Sequence, residues 1–304
     1  MSVLLFGANG QVGQELLRAL PPLVDVIGTT RTGMLPGGSA CLTADFGDPD
    51  SVLALLDATR PTHVINAAAY TAVDNAESEP AAAQTANAET PGAIARWCAA
   101  HAVPFVHYST DYVFDGRGTR PYRPDDATAP LGVYGATKLA GEDAIRAASG
   151  RHLIFRTAWV YAAHGQNFLR TMLRLGAERD VLRVVADQIG TPTPAALIAD
   201  VTAQILRSDT EASGTWHLTA SGETSWFGFA EAIFDGAVER GVIARAPKVE
   251  PISTADYPTP AKRPAYSRLD TSTLERDFRV ALPEWRDALG GVLDGMRREQ
   301  SQKR

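Results

Sequence analysis

Along the first half of the chain, short runs of unbroken apolar residues alternate with longer stretches in which apolar positions recur every three or four residues. The short runs, residues 3–6, 24–28, 63–66, 105–109 and 153–156, read as strands. Lacking polar interruption, they suit a parallel sheet buried on both faces. The stretches between them, 11–20, 48–59, 77–100 and 134–148, carry the helical period. This order predicts an α/β fold, a Rossmann-type doubly wound parallel sheet, with its ligand crevice at the carboxyl ends of the strands.

Past about residue 161 the rhythm changes. Pro, Gly and Trp punctuate short elements in "DQIGTPTPA", "TWHLTASGETSWFG" and "YPTPAKRP". The pattern predicts an NAD(P)-binding domain over 1–160, with about 194–210 returning to it, and a smaller, discontinuous α+β substrate domain over most of 161–304. No internal repeat is found, and the tail "MRREQSQKR" reads as a solvated, frayed helix end.

Composition narrows the class. At 304 residues the chain can bury a sizeable core, and a formal net charge of -6 argues against a general nucleic-acid binder. Cys41 and Cys98 lack metal-ligand spacing and read as structural thiols in a reducing compartment. The opening "MSVLLFGANG" has an apolar run but no basic segment before it, so it does not read as a signal peptide. No stretch reaches the roughly 18 apolar residues of a bilayer span, and the expectation is a cytoplasmic protein.

Three motifs carry chemistry. In "FGANGQVG", Gly7, Gly10 and Gly13 follow a strand and open a helix, where glycine permits a tight turn and lets a pyrophosphate approach the free helix amides. The second strand ends in "VIGTTR" with no acid for a ribose 2′-hydroxyl. Arg31 there suits a 2′-phosphate and favours NADPH, with NADH as the alternative cofactor if Arg31 is only a solvated surface residue. "VHYSTDYVFDG" delivers Ser109, Thr110 and Asp111 to a strand's carboxyl end, either to meet a substrate oxygen or to cap a turn. Downstream, Tyr134 and Lys138 stand four apart on one helix face. Thr110, Tyr134 and Lys138 together make a hydroxyl, phenol and ammonium set able to pass a proton to a carbonyl oxygen while hydride reaches its carbon.

These motifs, with "VINAAAYTAVDNAESEP", "RTAWVY", "NFLRTM", "ADQIGTPTPA", "RPAYSRLD" and "LPEWRDAL", resemble in order and over nearly the whole chain the dTDP-4-dehydrorhamnose reductase family of extended short-chain dehydrogenase/reductases. The resemblance implies NADPH-dependent reduction of the 4-keto group of a dTDP-sugar. It implies that Gly7, Gly10, Gln11, Val12 and Gly13 hold the pyrophosphate, that Asp45 and Phe46 border the adenine, and that Ala68, Ala69 and Thr71 line the nicotinamide side. Val73, Thr110, Asp111, Tyr112 and Trp159 would contact the substrate. Tyr134 would be the acid, its phenol pKa, ordinarily near 10, lowered by the neighbouring Lys138 ammonium, and Lys138 would also hold the nicotinamide ribose.

Some family members dimerise through a magnesium site made from glutamates. Glu15 keeps one of these, but Ala196 stands where another would be and offers a hard cation no oxygen, so a metal-bridged dimer is not expected; a homodimer through other contacts stays open. Arg263 reads equally as a clamp for substrate phosphate or as a surface residue. His63 and His107 lie in strand patterns and read as core histidines. Trp216, Trp226 and Trp285 read as core. Two other functions fit the fold: a nucleotide-sugar epimerase or dehydratase, and a non-catalytic regulatory subunit like that of methionine adenosyltransferase.

Overall fold

The structure is a computed structural model describing residues 2–21, 24–208 and 210–302. In chain order the first half gives β1 (Ser2–Phe6), α1 (Gln11–Ala19), β2 (Asp25–Thr30), β3 (Leu42–Thr43), α2 (Pro49–Thr59), β4 (His63–Asn66), α3 (Val73–Ala76), α4 (Pro80–Gln84), a π-helical turn (Thr85–Glu89), α5 (Thr90–Ala100), β5 (Phe105–Thr110), a 3-10 turn (Asp111–Val113) and α6 (Val133–Ala147). There follow β6 (His152–Thr157), β7 (Val160–Tyr161), α7 (Phe168–Glu178), β8 (Val181–Val185), β9 (Ile189–Gly190), β10 (Thr193–Pro194), α8 (Ala195–Arg207), β11 (Gly214–His217), β12 (Thr224–Ser225), α9 (Trp226–Glu239), β13 (Lys248–Ile252), α10 (Ser272–Phe278) and α11 (Trp285–Gln302).

Seven parallel strands in the order β11-β6-β5-β4-β1-β2-β3 form the central sheet. The period-2 alternation of β1 sends Val3 and Leu5 to one face, against Leu16 of α1 and Ile198 of α8, and Leu4 and Phe6 to the other, against Val52, Leu56 and Ile94 of α2 and α5. Both faces of the sheet are therefore covered, as unbroken apolar strands require. A separate cluster of Tyr161, Leu169, Met172, Phe229, Ile233, Phe234, Trp285 and Leu289 packs α7, α9 and α11 together beside the parallel pair β8–β13.

The structure departs from the sequence expectations in identifiable places. The single helix expected over 77–100 starts only at Pro80, the first helical position of α4, because proline has no N–H to donate inside a helix. It then carries the π-helical turn before α5. That turn presents Asn87, whose side chain accepts from Tyr70 N at 2.8 Å and donates to the Tyr70 carbonyl and Thr137 Oγ1. The strand expected over 24–28 runs on to Thr30, since Thr29 and Thr30 pair with Leu42 and Thr43. Strand β11 was not anticipated; it extends the sheet beyond β6. Helix α11 continues through Gln302, and the last two residues of the expected frayed tail, with residue 209, lie outside the described residues.

Candidate active site

The loop between β1 and α1 comes first. Gly7 has φ +76, and a Cβ there would stand 2.6 Å from the Ala68 backbone nitrogen. A Cβ on Gly13 would strike the Gly7 carbonyl. Glycine is thus required for the strand, turn and helix to close on one another. Helix α1 has no side-chain cap at Gly10, so its first amides and the positive end of its dipole are left for an anion.

This loop opens into a cleft of about 1020 Å³ at the carboxyl ends of the strands, more than a drug-sized ligand needs. Gly7, Gly10, Gln11 and Val12 line its floor, with Gly13 one layer behind. Arg31, Asp45 and Phe46 border the end beside β2; Ala68, Ala69, Thr71 and Val73 line the wall after β4. Thr110, Asp111, Tyr112, Tyr134, Lys138 and Trp159 complete the opposite wall. The cradle of glycines and uncapped amides, the exposed guanidinium of Arg31 and the small side chains of Ala68 and Ala69 fit a dinucleotide phosphate cofactor. A second hollow, at the amino ends of β4 and β5 and touching His63 and His152, holds only about 20 Å³, room for a water.

Thr110 does two things at once. Its Oγ1 accepts from Tyr112 N at 3.2 Å, capping the 3-10 turn, and donates to Asp111 Oδ1 at 3.0 Å. Asp111 is 2 % exposed, and burial pushes its carboxyl pKa up to about 6 against the hydroxyls of Ser267 and Thr110; its Oδ2 is buried without a hydrogen-bond partner. The Tyr134 ring meets Tyr112 edge-on at 5.4 Å.

Tyr134 and Lys138 do not stand as the i, i+4 spacing suggested. Burial raises the Tyr134 phenol pKa well above 10, with the nearby Thr110 hydroxyl only partly opposing it, so the phenol is a neutral acid here and not a phenolate. Lys138, 2 % exposed, turns instead toward β5, where Nζ donates to the Tyr108 carbonyl at 2.7 Å and lies 3.1 Å from His107 Nε2. Burial pushes its pKa down to about 8, opposed by the charge of Glu142. The lowering of the phenol by an adjacent ammonium is therefore not realised in this geometry.

Other expectations resolve similarly. His107 is fully buried, but it is also the direct neighbour of Lys138, which sequence reasoning missed. His63 is half-buried and near Thr62 Oγ1 at 3.2 Å, not a core residue. Trp216 and Trp285 are buried, whereas Trp226 is half-buried and stacks on Trp159 with ring centroids 3.6 Å apart and planes 7° from parallel. Trp159 holds φ +48, a left-handed backbone uncommon outside glycine, and its indole covers Gly190, where a Cβ would come within 2.5 Å of it. Arg263 pairs with Asp74 at 2.8 Å and reaches Tyr112 Oη at 3.4 Å. Glu15 accepts from His164 Nε2 at 3.1 Å and Arg18 Nε at 2.8 Å, and among the described residues no group of three or more His, Cys, Asp or Glu is placed to hold a metal.

Residues 1–298 match the family described as RmlD substrate binding domain. The chain belongs to this family. It is 46% identical over 297 residues to the dTDP-4-dehydrorhamnose reductase of Escherichia coli (strain K12), covering 97% of each chain, and 46% identical over 301 residues to that of Burkholderia thailandensis, covering 95% of this chain and 97% of the relative. The crystal structure of the Bacillus anthracis dTDP-4-dehydrorhamnose reductase in complex with NADP superposes with a TM-score of 0.87 at 34% identity, covering 96% of this chain and 98% of that one. That of the Clostridium acetobutylicum enzyme gives 0.88 at 36% identity, covering 97% and 99%. Among the described residues no helix is long and apolar enough to cross a membrane.

Proposed function

We propose that the chain is an NADPH-dependent oxidoreductase that reduces the 4-keto group of dTDP-4-dehydro-L-rhamnose to dTDP-L-rhamnose, in nucleotide-sugar synthesis for cell-surface polysaccharide. The observation that carries this is the meeting of Thr110, Tyr134 and Lys138 in one cleft with the glycine cradle, in a chain whose relatives of like length bear that enzyme's name. One such relative is bound to NADP.

Gly7, Gly10, Gln11, Val12 and Gly13 would hold the pyrophosphate on the α1 amides, Arg31 the 2′-phosphate, Asp45 and Phe46 the adenine, and Ala68, Ala69 and Thr71 the nicotinamide side. NADPH, when bound, supplies the hydride. Tyr134, kept neutral by burial, gives its proton to the carbonyl oxygen as charge builds there. Thr110 orients that oxygen, which requires its hydroxyl to swing away from Asp111. Lys138 would hold the cofactor, and the phenolate left by the transfer would take a proton back from solvent through the open cleft. Val73, Asp111, Tyr112 and Trp159 would grip the sugar nucleotide.

In this reading residues 1–160, with about 194–210, form the cofactor-binding domain and most of 161–304 the substrate domain. The protein works in the cytoplasm, and any homodimer forms without a metal bridge at Glu15. The test is direct: NADPH absorbance should fall when dTDP-4-dehydrorhamnose is added, with dTDP-L-rhamnose as product, and no consumption of NADPH would reject the assignment.

A further inference from the structure

Asn66, at the end of β4, settles the protonation of its neighbours. Its Oδ1 accepts from the Ala68 N–H at 2.9 Å, so its Nδ2 faces the other way and donates to His107 Nδ1 at 3.0 Å. The reversed amide would set two N–H donors head-on at Ala68. With Nδ1 accepting, a neutral His107 must carry its one hydrogen on Nε2, and Nε2 points at Lys138 Nζ, 3.1 Å away. An ammonium has three donors and no lone pair, so it would meet that N–H as donor against donor. An uncharged amine accepts it and still donates to the Tyr108 carbonyl at 2.7 Å.

We propose that His107 is a positioning residue that favours Lys138 as an uncharged amine in the cofactor-free protein at mildly alkaline pH, and that binding of NADPH recharges Lys138 with a proton from solvent. The proposal rests on the NADPH reading of the cleft and adds to it a binding step linked to pH. The surroundings agree. Burial holds the His107 pKa low, so the imidazole does not yield by protonating. Burial also lowers the Lys138 pKa to about 8. The carboxylate whose charge favours the ammonium among the described residues, Glu142 on the next turn of α6, is occupied by Arg156 and Ser109. Tyr134, on the turn before, is a neutral phenol, and Asp111 lies beyond Thr110 with its carboxyl turned to that hydroxyl. The negative charge of a bound dinucleotide phosphate would tip the balance toward the ammonium and draw it off His107.

Calorimetric titration with NADPH at about pH 8.5, in two buffers of different ionisation enthalpy, reads the linked proton. A substantial fraction of a proton per site should be taken up at pH 8.5, and markedly less near pH 6.5, where Lys138 is charged beforehand. In His107→Gln the amide can turn its oxygen to the ammonium, so uptake at pH 8.5 should fall below about 0.2. Zero uptake in the natural protein, or equal uptake in the variant, overturns the proposal. Should the variant not fold, nitrogen NMR of the His107 ring in the cofactor-free natural protein decides instead: an Nε2–H neutral ring is expected, and an Nδ1–H ring or an imidazolium overturns it. Neither measurement uses the sugar substrate, so failure of the ketosugar assay leaves this result readable, and the reverse.

Discussion

Arg156 on β6 clamps Glu142 on α6 through two buried hydrogen bonds, Nε to Oε1 at 2.9 Å and Nη2 to Oε2 at 2.7 Å. Ser109 donates to the same carboxylate from β5, and Arg146 reaches it from the next turn of α6. Since Glu142 lies one turn beyond Lys138, this clamp fixes the helix bearing Tyr134 and Lys138 against the strand bearing Thr110.

Removing one partner leaves the other buried and uncompensated. Glu142→Ala should cost about 3–5 kcal/mol in chemical denaturation, and a loss below about 1 kcal/mol would show that solvent reaches the site. Burial alone would raise the Glu142 pKa, but the hydrogen bonds and charge of Arg156 outweigh it and hold the carboxyl below its usual range. A depressed acid stabilises the fold above its unfolded pKa of 4.5 and loses that contribution as pH falls through the lower folded value. Glu142→Gln should therefore be less stable at neutral pH and show a shallower loss of stability below about pH 4.5.

The acid is tested by Tyr134→Phe, which should lower turnover by at least about 100-fold while NADPH still binds. Turnover near that of the natural protein would remove Tyr134 from the chemistry. Lys138→Ala should both raise the KM for NADPH and lower kcat, because it takes away the cofactor contact that positions the hydride donor against the ketone.

Much of this architecture was legible in the chain. Strands buried on both faces advertise themselves as apolar runs, which is why β1, β4, β5 and β6 were found within a residue or so. Strand β11, "GTWH", carries no apolar run to stand out, and it is a strand because β6 offers it an open edge. Tyr134 and Lys138 could be paired from helical spacing, but spacing along one helix says nothing about which way a long amine turns. That is decided by the Tyr108 carbonyl and by His107, 31 residues away in sequence. Trp226 looked like core for a related reason: its stacking partner, Trp159, sits on a loop whose left-handed backbone no local pattern announces.

Arg31 stands at the cleft's edge just past β2, whose end, Thr29–Thr30, brings no carboxylate. A guanidinium in that place discriminates by the 2′-phosphate. Arg31→Ala should weaken NADPH by roughly 10-fold or more, as expected for a lost charge-assisted contact, and leave NADH almost unchanged. Equal losses for the two cofactors in fluorescence titration would make Arg31 a bystander.

Glu15 is already satisfied by His164 and Arg18, which together hold its pKa below the ordinary value against the cost of burial. Treatment with EDTA is expected to change neither the reduction rate nor the sedimentation behaviour. A chelator-induced monomer, restored by magnesium, would contradict this.

The last prediction separates a reductase from an epimerase on the same fold. Epimerisation beside the ketone needs an acid or base near neutral pKa at the carbons flanking it. Neither cysteine meets that need. Cys98 is buried, and burial pushes its thiol up to about 12; Cys41 lies beside β3, 3.5 Å from Thr30 Oγ1, away from Thr110. The group next to Thr110 is Asp111, whose pKa of about 6 would suit a base; its Oδ1 accepts from the Thr110 hydroxyl in the cofactor-free protein and its Oδ2 is unpartnered, but the side chain is 2 % exposed. Geometry outweighs pKa here, because a base must first reach the proton it removes. Once the Thr110 hydroxyl turns to the carbonyl, Asp111 is expected to accept from a sugar hydroxyl, and the ketosugar to arrive already epimerised. Incubating that ketosugar with the protein in heavy water, with NADP+ in place of NADPH so that no hydride is delivered, should give no enzyme-dependent deuterium at carbons 3 and 5. Deuterium at either carbon, lost again in Asp111→Asn, would make Asp111 the base and the protein an epimerase as well.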